Sequence, residues 1–277
     1  VFYTFILATT VYFGWNLYHD RLQRRYFDEK INFFVHTAHD IRTPLSLVLA
    51  PLGDIAADNN LSDESRKFLE IARNNGKKLL NMITQLLDFQ KSDRSESPLY
   101  INKVDLRVLL EAQIDKFRLI ANQKHIDFSL VSCPQSLFVW LDVSMADKIF
   151  ENLLSNAFKY THEGDKIKIE VWDDDNYIHI KVSDTGIGIP KYAQKHIFQN
   201  FYRADNAINS KETGSGLGLM LTKRLVCKLK GKLTFESMEG SGTSFFLTFR
   251  KGYNHFSKSV SKIEPQTETH IIIVAPE

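Results

Sequence analysis

Phe33-Phe34-Val35-His36-Thr37-Ala38-His39-Asp40-Ile41-Arg42-Thr43-Pro44-Leu45 lies within a long amphipathic pattern. Ile31, Phe34, Val35, Ala38, Ile41, Leu45, Val48, Leu49, Leu52 and Ile55 recur at spacings of three and four, the repeat of one helix face. His39 and Asp40 fall off that seam, so an imidazole and a carboxylate face water at adjacent positions. Pro44 comes five residues after His39; inside a helix it removes a backbone donor and bends the axis. A bend beside an exposed histidine–acid pair is costly for structure alone and marks His39 as a candidate for chemistry. His36, one turn earlier, lacks the adjacent acid and reads as ordinary surface.

Upstream, residues 1–18 carry no charge and are rich in Phe, Tyr, Ile, Leu and Val. About 20 apolar residues cross a bilayer, so this stretch is expected to be the end of a transmembrane helix (residues 1–19). Tyr12, Trp15 and Tyr18 suit a membrane interface, and Arg21, Arg24 and Arg25 assign the downstream part of the chain to the cytoplasm. The start at Val, with no basic segment before the apolar run, argues against a signal peptide. A buried core helix is the other reading, because Asn16 and the threonines dilute the signal. Residues 20–30 continue as a juxtamembrane helix.

Downstream, Asp58-Asn59-Asn60-Leu61 reads as a turn and Ser62 as an N-cap, with Asp63 and Glu64 favourable in the first turn. A second helix carries Phe68, Ile71, Ala72, Asn75, Leu79, Met82, Ile83, Leu86 and Phe89 on one face. Residues 31–92 thus form a helical hairpin. Alone it buries little, so a second copy is expected to complete a dimeric four-helix bundle. Residues 93–99 are a polar linker.

The pattern then changes. Strands are expected at residues 100–106, 126–131 and 138–141, and helices at 105–123 and 144–160. Residues 167–172 and 177–182 alternate at period two around Asp173-Asp174-Asp175-Asn176, a hairpin. Next come a helix over 217–229 and a hairpin of 233–237 with 244–249. Helices interleaved with paired strands make an α/β sandwich over residues 100–252, so the fold class is a helical hairpin succeeded by an α/β domain. Residues 253–277 are polar up to Ile271-Ile272-Ile273-Val274, which is either a frayed end or the first strand of another domain.

Composition limits the function. With 277 residues the chain holds about two domains; 43% hydrophobic and 25% charged residues suit globular cores. A net charge of +2 gives no reason to expect a nucleic-acid partner. Cys133 and Cys227 lack metal-site spacing and suit a reducing compartment.

In the second half, Asn152 and Asn156 are four apart and share a helix face with Lys159 and Tyr160. A hard Mg²⁺ ion takes oxygen ligands and keeps phosphate in its shell, so a carboxamide oxygen and a neutralising lysine suit it. Two solvent-facing asparagines are the commoner meaning of such a pair taken alone. Asp184-Thr185-Gly186-Ile187-Gly188 comes directly after a strand; its glycines admit a flat ring and its carboxylate accepts from an exocyclic amine, favouring adenine over guanine. An ordinary turn is the alternative. Gly214-Ser215-Gly216-Leu217-Gly218-Leu219 opens a helix whose first N–H groups suit phosphate, without Rossmann or Walker A spacing. Gly240-Ser241-Gly242-Thr243 is a glycine turn; Thr243 is either a water-bridged base contact or a strand residue after the turn. Arg203 is either a phosphate contact or a solvated arginine, and residues 204–213 read as a patternless mobile lid.

His39-Asp40-Ile41-Arg42-Thr43-Pro44-Leu45 resembles the phospho-acceptor box of sensor histidine kinases, with Asp40 where Glu is commoner. Residues 151–161 resemble their N-box, 184–190 the G1 box, 197–203 the F-box, 214–219 the G2 box, and 240–245 the last glycine motif. These boxes, in the expected order, resemble the family over residues 34–249. The resemblance implies a Bergerat α/β sandwich that binds ATP and Mg²⁺. It implies that Asn156 is the metal ligand, that Asn152, Lys159, Tyr160, Arg203, Gly214, Gly216, Leu217 and Gly218 lie about the phosphates, and that Asp184, Gly186, Gly188 and Thr243 surround the base. His39 would take the γ-phosphoryl group, Asp40 would fix the imidazole tautomer, and Thr43 would position water for phosphatase action. The phosphoryl group would pass to an aspartate of a response-regulator receiver domain, separate or fused beyond Glu277. The implied location is the inner or plasma membrane of a bacterium, with these domains cytoplasmic. The His39 box argues against a chaperone-type or mismatch-repair-type ATPase. A non-catalytic or phosphatase-biased scaffold of the same fold is the remaining alternative.

Overall fold

The computed structural model describes residues 12–15, 41–42, 44–52, 55, 61–93, 99–134, 137–210, 214–256 and 261–263. They divide into two compact units, Val1–Asp93 and Arg94–Glu277.

In the first unit, residues 41–42 and 44–52 are helical on both sides of position 43. Ser46 Oγ donates to the Arg42 carbonyl at 3.0 Å. Helix α1 spans Asp63–Asp93. Ser62 caps it: its carbonyl accepts from Arg66 N at 2.9 Å and its Oγ from Ser65 N at 3.2 Å, the pairing an N-cap makes. A Cβ on Gly76 would run into the Leu49 side chain, so α1 meets the preceding helix there without intervening atoms. Of the apolar face expected on α1, Ile83 is buried, whereas Phe68, Ile71 and Leu79 are exposed in the single chain. Among the described residues no helix is long and apolar enough to cross a membrane. The stretch 1–19 expected to do so lies outside them except for residues 12–15, which are helical.

The second unit runs β1 (Leu99–Asp105), α2 (Leu106–Gln123), β2 (Asp127–Ser132), β3 (Phe138–Leu141), α3 (Val143–Tyr160), β4 (Lys166–Asp173), β5 (Tyr177–Asp184), α4 (Asp205–Asn209), α5 (Gly218–Lys228), β6 (Lys232–Met238), β7 (Gly242–Arg250) and β8 (Ser261–Ile263). A five-stranded sheet has the order β2-β4-β5-β7-β6. Its β2–β4 pair is parallel and the rest antiparallel. A smaller sheet, β3-β1-β8, stands apart.

Alternation builds the sheet's inner face. Ile167, Ile169 and Val171 of β4 and Ile178, Ile180 and Val182 of β5 are buried while the residues between them are not. Ile149, Phe150, Leu153, Leu154 and Ala157 of α3 are buried in the same core cluster. Each such side chain contributes roughly 1.5–3 kcal/mol on burial. Capping fixes where the helices start. Asp105 Oδ1 accepts from Arg107 N at 3.0 Å to begin α2. Asp142 accepts from Met145 N at 3.2 Å to begin α3, and its second oxygen accepts from Tyr100 N of β1 at 3.1 Å. The polar face of α3 is left for other work.

One expectation is corrected: the stretch 204–213, read as patternless, contains the short helix α4. Beyond residue 252, β8 pairs in parallel with β1 within the second unit.

Candidate functional site

The site begins where β5 ends. Asp184 stands opposite Thr243 in the β5–β7 register. Its Oδ1 accepts from Gly186 N at 3.0 Å and Thr243 N at 3.2 Å. Oδ2 has no partner among the described residues. Burial is the largest influence on this carboxyl and pushes it up to about 6, against the pull of the two N–H bonds. One oxygen is thus pinned, and the other is available to accept from an amine.

The loop after Asp184 is wedged between two walls. A Cβ on Gly186 would collide with the Tyr160 carbonyl at the end of α3, and Ile187 N donates to that carbonyl at 3.0 Å. Gly188 has φ +62°, and a Cβ there would strike the Met238 carbonyl of β6. Only glycine meets both demands at 188. From the other side, Asn206 Nδ2 of α4 donates to the Gly188 carbonyl at 3.0 Å.

The polar face of α3 carries Asn152, Asn156, Lys159 and Tyr160. Asn152 is engaged: its Nδ2 donates to the Gly218 carbonyl at 2.7 Å and lies 3.2 Å from Thr222 Oγ1. Asn156 is half-buried, and its amide has no hydrogen-bond partner among the described residues. Its oxygen is therefore free for a hard cation, as the residue type requires. Lys159 Nζ lies 5.3 Å from the Tyr160 ring centre. A Cβ on Gly214 would stand 2.7 Å from that Nζ and 3.8 Å from Arg203 Nε. Gly214 therefore passes close to two cationic side chains, an arrangement suited to phosphate.

The glycine run enters α5 through a tight bend. Gly216 has φ +72°, and a Cβ on it would lie 2.6 Å from the Phe201 carbonyl carbon. Leu217 is buried, so its side chain anchors the run and only its backbone can face a ligand. Its amide donates to Ser215 Oγ at 3.2 Å. In the neighbouring segment, Phe198 packs edge-on against Phe235 with ring centres 5.6 Å apart, which anchors the chain near Arg203. The Arg203 guanidinium donates to the Ala207 carbonyl of α4. Thr243 Oγ1 lies 2.9 Å from Ser237 Oγ.

Asp184, Gly186, Gly188 and Thr243 thus meet at one corner, while Lys159, Arg203 and Gly214 meet at another, and Asn152 joins α3 to Gly218. His39, Asp40 and Thr43 lie outside the described residues. Sequence reasoning missed Ser237, Gln194, Asn206 and Thr222. Gln194 Nε2 donates to the carbonyls of Ile189 at 3.0 Å and Ser237 at 2.9 Å. None of these four belongs to a glycine motif, and Ser237 and Thr222 lie on the inner faces of β6 and α5, where periodicity gives a packing signal but no chemical one.

Comparison with known proteins agrees with this geometry. Residues 142–252 match the family model for the histidine kinase-, DNA gyrase B-, and HSP90-like ATPase. Residues 29–95 match that for the His Kinase A (phospho-acceptor) domain. The chain is 32% identical over 223 residues to the hybrid signal transduction histidine kinase D of Dictyostelium discoideum, covering 79% of this chain and 14% of that protein. It is 30% identical over 231 residues to the sensor histidine kinase WalK of Bacillus subtilis, covering 82% and 37% respectively. The chain therefore spans well under half the length of these relatives. Among solved structures, full-length ShkA in complex with AMPPNP is similar at a TM-score of 0.65 and 25% identity, covering 78% of this chain and 45% of that one.

Proposed function

Since the chain belongs to the sensor histidine kinases of two-component systems, we propose that it autophosphorylates His39 from Mg·ATP and passes the phosphoryl group to an aspartate of a receiver domain. The observation that carries this is Asp184: a carboxylate with one oxygen held by two backbone amides and the other open, at the mouth of a glycine loop. That is an acceptor for the exocyclic amine of adenine.

The residues present fit the rest of the nucleotide and its metal. Asn156 offers an uncommitted amide oxygen to Mg²⁺, which when bound neutralises phosphate charge. Lys159 and Arg203 flank Gly214 and neutralise further charge. Gly216 and Gly218 let phosphate approach the first N–H groups of α5, while Asn152 holds Gly218 in position. A ring nitrogen of His39 attacks the γ-phosphorus as the bond to the bridging oxygen breaks, leaving ADP. Phosphoryl transfer of this kind is mostly positioning and charge neutralisation. Asp40 accepts the hydrogen of the other ring nitrogen and fixes its tautomer. Thr43 positions water for phosphatase action on the phosphorylated receiver.

In this reading residues 31–92 are the dimerisation and phosphotransfer hairpin, and residues 100–252 with β8 are the catalytic domain. The exposed Phe68, Ile71 and Leu79 supply the surface for a second copy. The apolar residues 1–19 anchor the chain at the plasma membrane with both units on the cytoplasmic side. The receiver stands either in trans or beyond Glu277.

The test is autophosphorylation of the chain with γ-labelled Mg·ATP, wild type against His39→Gln. Acid-labile, base-stable label that vanishes in the variant is the expected result. Nucleotide binding without label would make the chain a scaffold or phosphatase, and label persisting in the variant would exclude His39.

A further inference from the structure

We propose that Ser237 determines the base specificity of the nucleotide site, because its hydroxyl accepts the hydrogen bond of the Thr243 hydroxyl and leaves an acceptor-only face beside Asp184. The inference rests on the nucleotide-binding function proposed above and goes further, to a residue outside every glycine motif.

Three groups lie within hydrogen-bond distance of Ser237 Oγ. Ile189 N is 2.8 Å away, the Gly242 carbonyl 2.9 Å and Thr243 Oγ1 2.9 Å. An amide N–H can only donate and a carbonyl can only accept, while a hydroxyl has one proton and two lone pairs. One assignment alone satisfies all three contacts. Ser237 donates to Gly242, and receives from Ile189 N–H and from the Thr243 hydroxyl. Its hydrogen-bonding capacity is then full.

The Thr243 proton is thereby committed, and what remains on its oxygen is acceptor capacity alone. Thr243 pairs with Asp184 across β5 and β7, and its amide holds Asp184 Oδ1. Two acceptors therefore stand side by side, the open carboxylate oxygen and the threonine oxygen. Adenine presents an amine at this edge, directly or through a water. Guanine presents a carbonyl oxygen, which would face acceptors with no proton to share. A site built to accept rejects an analogue that presents an acceptor where the amine would be, because buried polar groups are left unpaired there.

The same hydroxyl is fixed in place from two sides. Gln194 Nε2 bridges the Ser237 and Ile189 carbonyls at 2.9 and 3.0 Å, clamping β6 to the loop after Asp184. Ser237 therefore acts through Thr243 and has no need to touch the nucleotide. It is a positioning residue.

The experiment is calorimetric titration of the full chain with Mg·ADP and with Mg·GDP, in wild type, Ser237→Ala, Ser237→Thr and Thr243→Val. Wild type is expected to prefer ADP. Ser237→Ala frees the Thr243 proton to donate, and the ADP-to-GDP preference is expected to narrow by on the order of tenfold. Ser237→Thr, which keeps the hydroxyl, restores it, and Thr243→Val, which removes the acceptor, narrows it similarly. The ratio is independent of the folded fraction, so a merely structural role would weaken both nucleotides equally. An unchanged ratio in Ser237→Ala, or in Thr243→Val should the first variant bind neither nucleotide, overturns the inference while leaving the proposed function intact. A wild-type chain that binds neither nucleotide overturns both.

Discussion

Asn152 of α3 donates its side-chain amide to the Gly218 carbonyl at 2.7 Å, so one asparagine ties the helix of the N-box to the first turn of α5. Its Oδ1 would lie 2.7 Å from a Cβ at Gly218, so any side chain there would have to displace the Asn152 amide. Asn156, one turn further along, makes no such tie among the described residues. The two asparagines look equivalent in sequence, yet one holds the scaffold and the other is available to a ligand.

Asn152→Ala is therefore expected to lower stability as well as nucleotide affinity. The Gly218 carbonyl keeps the Thr222 hydroxyl at 3.0 Å, so the loss is that of one part-buried hydrogen bond, about 0.5–1.5 kcal/mol. Chemical denaturation of the nucleotide-free chain should show that loss. An unchanged midpoint would remove Asn152 from the scaffold.

Asn156→Ala should leave the nucleotide-free midpoint within about 0.5 kcal/mol of wild type, since no bond within the protein is broken. Its effect should appear only when Mg²⁺ is supplied: ATP affinity in chelator should match wild type, and the gain on adding Mg²⁺ should disappear. Calorimetry with and without the metal reads both numbers. Equal loss in both conditions would exclude Asn156 as the metal ligand.

Asp184 carries a carboxyl that burial raises from 3.8 to about 6. Between those values the folded domain holds a proton that the unfolded chain has released. The resulting contribution to stability is present at low pH and lost as pH rises through about 6. Asp184→Asn keeps an acceptor for Gly186 and Thr243 without the buried charge. Its melting temperature should exceed wild type at pH 8 and converge with it near pH 4, by roughly 2–4 °C for each kcal/mol recovered. ADP affinity of the wild type should fall as pH drops below 6, and be severely reduced in the variant at every pH. A wild-type affinity flat from pH 5 to 8 would contradict the role assigned to this carboxylate.

Gly188 and Gly164 both have positive φ, +62° and +83°, but only Gly188 faces a wall. Gly164→Ala should cost only the left-handed backbone penalty, about 1–2 kcal/mol. Gly188→Ala must also displace the Met238 carbonyl. It should cost distinctly more and abolish ADP binding. Similar unfolding midpoints for the two variants would mean that the loop after Asp184 yields easily.

Much of the site was legible because its chemistry is local. Asp105 and Ser62 cap the helices expected of them, since a short polar side chain ahead of an apolar run satisfies its own helix end. The α/β strands came from alternation, and β3 matches its expected span of residues 138–141. The short helix α4 was not legible. Asp205–Asn209 is too short to show a period, and it is held by Arg203 to the Ala207 carbonyl, by Asn206 to Gly188, and by Tyr192 to Asp205. Strand β8 likewise owes its existence to the free edge of β1, not to its own composition.

The amino-acid order alone determined which residue types stand at each box, where helices begin, and which faces are apolar, because capping and periodicity act within a few residues. Only the tertiary structure decided what the polar side chains do. Asn152 is bound and Asn156 open because α5 packs beside one and not the other. Asp184 keeps one oxygen pinned because β7 brings the Thr243 amide to it from 59 residues away. A hydrogen bond depends on which partner arrives in space, and for residues this far apart in the chain only the packed sheet brings partners together.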